Sequence, residues 1–272
     1  MADKLDIRTK IAQVRGIYDA SVKSTKGHFL IVGEKGAGKT TLFETCPQPI
    51  LIHSFDPDGT SVLDQQLIKL GKIIVDNRFE QDDPRDARAY LLWENEFNEW
   101  KNNNLFAGIG TYGIDSLTTM ATSIIWQIQK KEKRVLAEMS KASDLKQNGM
   151  QIQDWGIVLT IFQQLSRVMT NLPCHTIMLG HIERDKDEVT QSFVRTLLLP
   201  GQSRNHVPIA VPELLVLKRT ISGKRVLLTQ PDGEYQATTR MGKKGIFLKE
   251  EEPDIRALLK KAGKDWQDME AI

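Results

Sequence analysis

Cysteine is scarce in this chain: Cys46 and Cys174 are the two in 272 residues, far apart and without metal-like spacing. That excludes a disulfide framework and a zinc cluster, and both thiols are expected to be reduced and structural. Charge of one sign is lacking too. The 37 basic residues stand against 35 acidic ones, for a net charge of +2. Bulk charge therefore announces no polyanionic partner, and any basic surface must be local. No apolar run approaches the ~20 residues a membrane span needs. The N-terminus, Met1-Ala2-Asp3-Lys4-Leu5-Asp6, has no apolar signal-peptide core. Internal repeats and low-complexity tracts are absent as well. These absences point to a soluble protein of a reducing compartment with no membrane partner. The rest is ordinary globular composition, 40% hydrophobic and 26% charged, which suits one large α/β domain or one domain with appendages.

Against that plain background stands Gly33-Glu34-Lys35-Gly36-Ala37-Gly38-Lys39-Thr40, followed by Thr41. It fits the phosphate-binding pattern G-x-x-x-x-G-K-[ST] at every fixed position. An apolar run, Phe29-Leu30-Ile31-Val32, enters it, and a helix-like run, Thr40 to Thr45, leaves it. The glycines let backbone fold round phosphate oxygens, and loop N–H groups at a helix start point at the anion. Lys39 would reach the β/γ-phosphates and the Thr40 hydroxyl would hold Mg²⁺. Lys35 reads as a peripheral charge near the phosphates. The expected cofactors are ATP and Mg²⁺.

Along the chain, residues 4–22 read as a helix, with Ile7, Ile11, Val14, Ile17 and Tyr18 recurring at three and four. It either packs on its own domain, the simpler expectation, or docks on a neighbouring subunit. After the nucleotide loop, Pro47 and Pro49 end the helix, and Ile50 to Phe55 reads as a buried strand closed by Asp56-Pro57-Asp58-Gly59. A short helix over 61–70 and a strand at 72–75 follow. Asp83-Pro84 is expected to open a helix reaching Asn102. A strand from Phe106 to Asp115, a helix from Leu117 to about Met139, a loop over 140–153, a helix from Asp154 to about Asn171 and a strand Cys174–Gly180 come next. Residues 183–212 read as a long polar loop. A hairpin turned at Ser222-Gly223 precedes a last helix from about Pro253 to Met269. The order predicts an N-terminal helical segment over 1–24, a core over 25–250 and a C-terminal helix over 251–272. Alternating strands and helices make a mostly parallel, doubly wound sheet flanked by helices.

Hydrolysis needs an acid beside the metal and a group to orient water. Asp115 ends a strand and is the candidate for the first role, with helix capping as the alternative. Asp56 and Asp58 follow the neighbouring strand at the ligand-binding edge of a parallel sheet; Asp58 is favoured as the water-orienting group, against a turn-stabilising role. His181 follows the fifth strand at the same edge and would sense the γ-phosphate, unless it is a loop or capping histidine.

With these pieces in order, the chain resembles the RecA-like recombinase superfamily, and within it the small phage ATPases of single-strand annealing and recombination. The resemblance rests on Gly33 to Thr41, Phe55-Asp56-Pro57-Asp58-Gly59, Ile114-Asp115-Ser116-Leu117, Asp154-Trp155-Gly156, Leu179-Gly180-His181 and Thr238-Thr239-Arg240-Met241-Gly242. It implies an α/β RecA-like P-loop NTPase core with a C-terminal hairpin and helix. It implies an acid that activates water, falling on Asp58, and a polar strand-end residue, His181, that couples nucleotide to a DNA loop at 183–204. A second DNA loop would lie at 140–153. Together these loops hold Lys141, Lys146, Arg184, Lys186, Arg195 and Arg204, which would bind phosphates without reading sequence, while Phe193 would stack on a base. Basic residues from a neighbouring subunit would complete the site, with Lys218, Arg219 and Arg240 as candidates.

The implied partners are single-stranded DNA, further copies of the chain in a ring or filament, and a single-strand-binding or other replication or recombination protein. The implied location is the cytoplasm of a bacterial host. Asp58 is shorter than the family's usual Glu, which implies slow hydrolysis. Two other readings stay open: a helicase loader or other DNA-metabolism ATPase driven by a protein partner, and a P-loop kinase acting on a small molecule, for which no arginine-rich lid is visible.

Overall fold

The computed structural model describes residues 2–19, 25–133, 149–186 and 191–270. Its centre is a nine-stranded sheet. The strands are β1 (His28–Gly33), β2 (Ile50–Ser54), β3 (Ile73–Asp76), β4 (Thr111–Asp115), β5 (His175–Lys186), β6 (Phe193–Leu197), β7 (Glu213–Arg219), β8 (Arg225–Leu228) and β9 (Glu250–Glu251). The helices are α1 (Ala2–Asp19), α2 (Gln65–Lys69), α3 (Ala89–Asn102), α4 (Leu117–Lys131), α5 (Ile152–Met169), α6 (Ser203–Ala210) and α7 (Ile255–Lys261). The sheet order is β3-β2-β4-β5-β1-β7-β8-β9, with β6 paired to β5. The pairs from β3 to β7 are parallel and the last pairs antiparallel. The expected α/β class therefore holds, and the architecture is consistent with a RecA-like P-loop NTPase core.

The apolar run of β1 shows why this sheet is buried on both faces. Leu30 and Val32 point into one core with Tyr112, Trp93 and Phe162. Phe29 and Ile31 point into the other with Ile52, Leu179 and Leu259. Alternate side chains of one strand serve opposite layers, so the run reads as continuously apolar. Register then does the positioning. Gly33 on β1 stands opposite His181 on β5, and Ser54 on β2 opposite Asp115 on β4. The carboxyl ends of these strands meet at one edge, where ligands of such sheets bind.

Several expectations need correction. The helix placed at Asp83-Pro84 starts at Ala89, because the Asp82 carboxylate accepts from the amides of Arg88 and Ala89. The strand begun at Phe106 begins at Thr111, since Leu105–Gly108 winds into a 3-10 turn. The run after the phosphate loop is a 3-10 turn, Thr40–Thr45, and Pro47 allows no longer helix. Residues 183–212 are not one long loop: β5 runs on to Lys186, β6 pairs back on it, and α6 follows. The last helix ends at Lys261, ahead of Gly263 in the left-handed region. Leu258 and Leu259 on it are buried in the core, whereas Trp266 lies beyond the helix and is 37% exposed. The end of the helix after Asp115 and most of the 140–153 loop, with Lys141 and Lys146, lie outside the described residues.

Own-domain packing of α1 is not what the structure has. Ile7, Ile11, Val14 and Ile17 are 55%, 62%, 66% and 72% exposed, so its apolar stripe is not buried against the core. Among the described residues no helix is long and apolar enough to cross a membrane.

Under α3 the core is aromatic and contains a buried polar chain. Trp93 Nε1 donates to Tyr112 Oη at 3.1 Å, and Tyr112 Oη lies 2.9 Å from His53 Nδ1. Burial pushes His53 down to about 4, so it stays neutral at physiological pH. Replacing Tyr112→Phe strips both partners at once and is expected to cost about 2 kcal/mol, read as a lowered urea midpoint with unchanged m-value.

Candidate nucleotide site

Gly33 ends β1 where the next strand presses close. A Cβ there would lie 2.4 Å from the Leu217 carbonyl oxygen, so only glycine fits. Gly36 and Gly38 take φ of +76° and +100°, which bends the loop back on itself and leaves open space in front of Gly36. Lys39 closes the turn from inside. Its Nζ donates to the Gly33 carbonyl at 2.9 Å and the Glu34 carbonyl at 3.0 Å, and lies 3.3 Å from His181 Nδ1. Burial lowers the Lys39 pKa, opposed by the charges of Asp115 and Asp56.

Thr40 Oγ1 donates to Asp115 Oδ2 at 2.7 Å. A hydroxyl and a carboxylate at this distance, beside a phosphate-shaped loop, fit Mg²⁺ held jointly with nucleotide oxygens. Asp56, not Asp58, is the second carboxylate the fold brings here. Asp56 accepts from Ser116 Oγ at 2.9 Å and from Thr119 Oγ1, and stands 3.3 Å from His181 Nε2. Burial pushes its pKa up, but the bonds from His181, Thr119 and Ser116 outweigh that and hold it below the usual carboxylate range. Asp58 is exposed at the mouth of the cleft with φ of 56°, and its N–H donates to Glu80 Oε2 at 3.1 Å. Asp58, the residue favoured from the sequence, also lines the cleft, but the contacts with His181, Ser116 and Thr119 are made by Asp56. The cleft encloses about 520 Å³.

A family model for an AAA domain matches residues 25–241. The chain belongs to the AAA domain family. No curated protein matches the sequence. Among solved structures, a KaiC-like protein from the hyperthermophilic archaeon Pyrococcus horikoshii is similar at 15% identity and a TM-score of 0.41, covering 80% of this chain and 83% of its own. By its family match the chain is a P-loop ATPase of the AAA domain kind, and its loop, Lys39 and Thr40 lie together in the cleft at the carboxyl edge of the sheet.

The other candidate residues of this AAA domain divide by location. Lys35 is exposed at the lip of the cleft. Glu34 and Arg195 on β6 form an ion pair, and Arg195 Nε also lies 3.3 Å from Glu234. Arg184 pairs with Glu234 at 2.5 Å and lies 3.8 Å over the Phe193 ring, which is 47% exposed. Arg204 pairs with Asp185 at 3.0 Å. Lys186 is exposed at the end of β5. So four of the six expected DNA contacts sit on or beside one β5–β6 arm, three of them neutralised by carboxylates of the same chain.

The three basic groups expected to act across subunits do not stand together. Lys218 is held by Asp232 and Glu250 at 2.5 and 3.2 Å. Arg219 donates to the Gly36 carbonyl of its own loop at 3.2 Å. Arg240 is exposed at the opposite sheet edge, where its amide donates to Glu213 Oε2 at 3.2 Å. Arg225, absent from the sequence-based candidates, lines the cleft. Its signal was its place in the hairpin, opposite Arg219 across the turn.

Asp115 carries the clearest pH signature. Burial raises it to about 6, partly offset by the Thr40 hydrogen bond and the Lys39 charge. A carboxyl whose folded pKa exceeds its unfolded value costs stability once it ionises, so the ligand-free protein loses stability as pH rises from about 4 to 6. Asp115→Asn is expected to raise the melting temperature of the ligand-free protein at pH 7–8, with the gain vanishing near pH 4, and to weaken Mg-nucleotide binding. Equal gains at both pH values would mean the benefit is not electrostatic.

Proposed function

We propose that this P-loop ATPase is Mg²⁺-dependent, binds single-stranded DNA through the β5–β6 arm, and serves annealing or recombination as an oligomer. The observation that carries the reading is His181. It stands at the root of the arm, 3.3 Å from Lys39 Nζ and 3.3 Å from Asp56 Oδ2. A group arriving against Lys39 competes for these contacts, and β5 carries any shift of His181 outward to Arg184 and Lys186. The Glu34–Arg195 pair is a second link, from the phosphate loop itself to β6. When bound, Mg-ATP supplies the γ-phosphoryl group that water attacks. Lys39 balances phosphate charge, Thr40 and Asp115 hold the metal, and Asp56 orients the water as a fixed hydrogen-bond acceptor.

The basic side chains of the arm are paired with carboxylates, yet exposed pairs are worth only about 0–1 kcal/mol each. DNA phosphates can replace Glu234 and Asp185 at small cost. Arg184 stacked on Phe193 presents a flat cationic and aromatic surface suited to a splayed base. In a ring or filament, Arg240 at the far edge is free to face the next subunit's nucleotide. A second reading, an ATPase driven by a protein partner such as a helicase loader, is favoured by the exposed stripe of α1.

The deciding experiment is ATP turnover with single-stranded DNA, with double-stranded DNA and with none. Stimulation by single strands, abolished in Lys39→Ala, is expected; turnover without stimulation and without single-strand binding would transfer the assignment to the partner-driven reading. His181→Ala is expected to retain DNA affinity measured without nucleotide and to lose the change that ATP produces. Arg184→Ala combined with Arg195→Ala should flatten the salt dependence of single-strand affinity, with the log–log slope falling by roughly 1–2. An unaltered slope would remove the arm from the interface.

A further inference from the structure

The hairpin of β7 and β8 places two arginines directly opposite each other: Arg219 pairs in register with Arg225. Like charges in that position repel. Their neighbours are neutralised, Lys218 by Asp232 and Glu250 and Lys224 by Glu252. Among the described residues, neither Arg219 nor Arg225 has a carboxylate at ion-pair distance. Both lean on the phosphate loop of their own chain instead. Arg219 donates to the Gly36 carbonyl at 3.2 Å, and Arg225 Nη1 lies 3.4 Å from Thr41 Oγ1. The contact at Gly38 is so close that a Cβ there would fall 2.7 Å from the Arg225 guanidinium carbon.

From this juxtaposition we infer that Arg225, backed by Arg219, is a phosphate clamp acting within its own subunit on the diphosphate part of the nucleotide. Two guanidinium groups without a carboxylate partner, in register on one hairpin and each bonded to the phosphate loop, form a site whose repulsion an incoming phosphate relieves. Arg225 touches Gly38 and Thr41 of the loop, whose backbone N–H groups are suited to the α- and β-phosphates, while the Lys39 side chain is the group that reaches on to the γ-phosphate. The clamp therefore holds ADP as firmly as ATP and contributes affinity rather than discrimination. A guanidinium suits this because its fork presents several donors to phosphate oxygens.

The inference rests on the nucleotide-binding reading, so the test separates the two. Binding of ADP and of a non-hydrolysable ATP analogue, each with Mg²⁺, is measured by calorimetry on the full chain. Wild-type protein that binds neither would sink the nucleotide reading itself. With wild-type binding in hand, Arg225→Ala is expected to weaken both ligands by a similar factor, about tenfold or more. Arg225→Lys should recover only part of it. The ligand-free variant should melt at or slightly above the wild-type temperature, since a repulsion is removed; a merely structural role would lower it. Unchanged ADP affinity overturns the inference. So does a turnover defect repaired by mixing Arg225→Ala with Lys39→Ala protein, because that places Arg225 in a neighbour's site.

Discussion

Everything at the ligand edge is arranged round one buried ammonium. Lys39 Nζ sits beneath the loop against the Gly33 and Glu34 carbonyls, with Asp115 and Asp56 close enough to matter electrostatically. A desolvated cation is costly unless polar groups converge on it. Here the carbonyl dipoles come from the loop, and the carboxylates come from the ends of β2 and β4. Removing any one strand from its register would leave the charge without part of its environment. The same ammonium is held in the ligand-free protein by neutral carbonyl oxygens, which leaves its charge available to an anion.

The carboxylates differ in character although both are buried near the same cation. Asp56 has three hydrogen-bond donors and is held ionised, which suits a fixed acceptor for water. Asp115 accepts one side-chain hydrogen bond, from Thr40, and is raised to about 6, which suits a group waiting for a metal. The split follows the general pattern in which neighbouring carboxylates acquire separate roles from separate surroundings. His181 on β5 touches Asp56, and the Glu34–Arg195 pair ties β6 to the loop, so the arm meets the nucleotide site at two points. The hairpin of β7 and β8 adds positive charge from the other flank.

Much of this was legible along the chain. The loop Gly33–Thr40 could be read because its function demands particular backbone freedoms and one ammonium at fixed spacing, and these demands are local. The sheet could be read because strands buried on both faces are continuously apolar. Boundaries failed where a side chain from outside the periodic segment decided them, as Asp82 does for α3. The β5–β6 arm was hidden because Glu183 to Lys186 are all charged and look like a loop until they pair with Phe193 to Thr196.

The sequence by itself determined the nucleotide loop, the strand-end acid Asp115, and the parallel α/β class, since each depends on residues adjacent in the chain. Tertiary structure alone decided that Asp56 rather than Asp58 meets His181, and that the arm's arginines are matched by Glu34 and Glu234. It likewise decided that Arg219 and Arg225 face their own loop, and that α1 leaves its apolar stripe uncovered. These are contacts between segments far apart in sequence. Their distances are set by strand register and turn geometry, which bring charges together regardless of how many residues separate them.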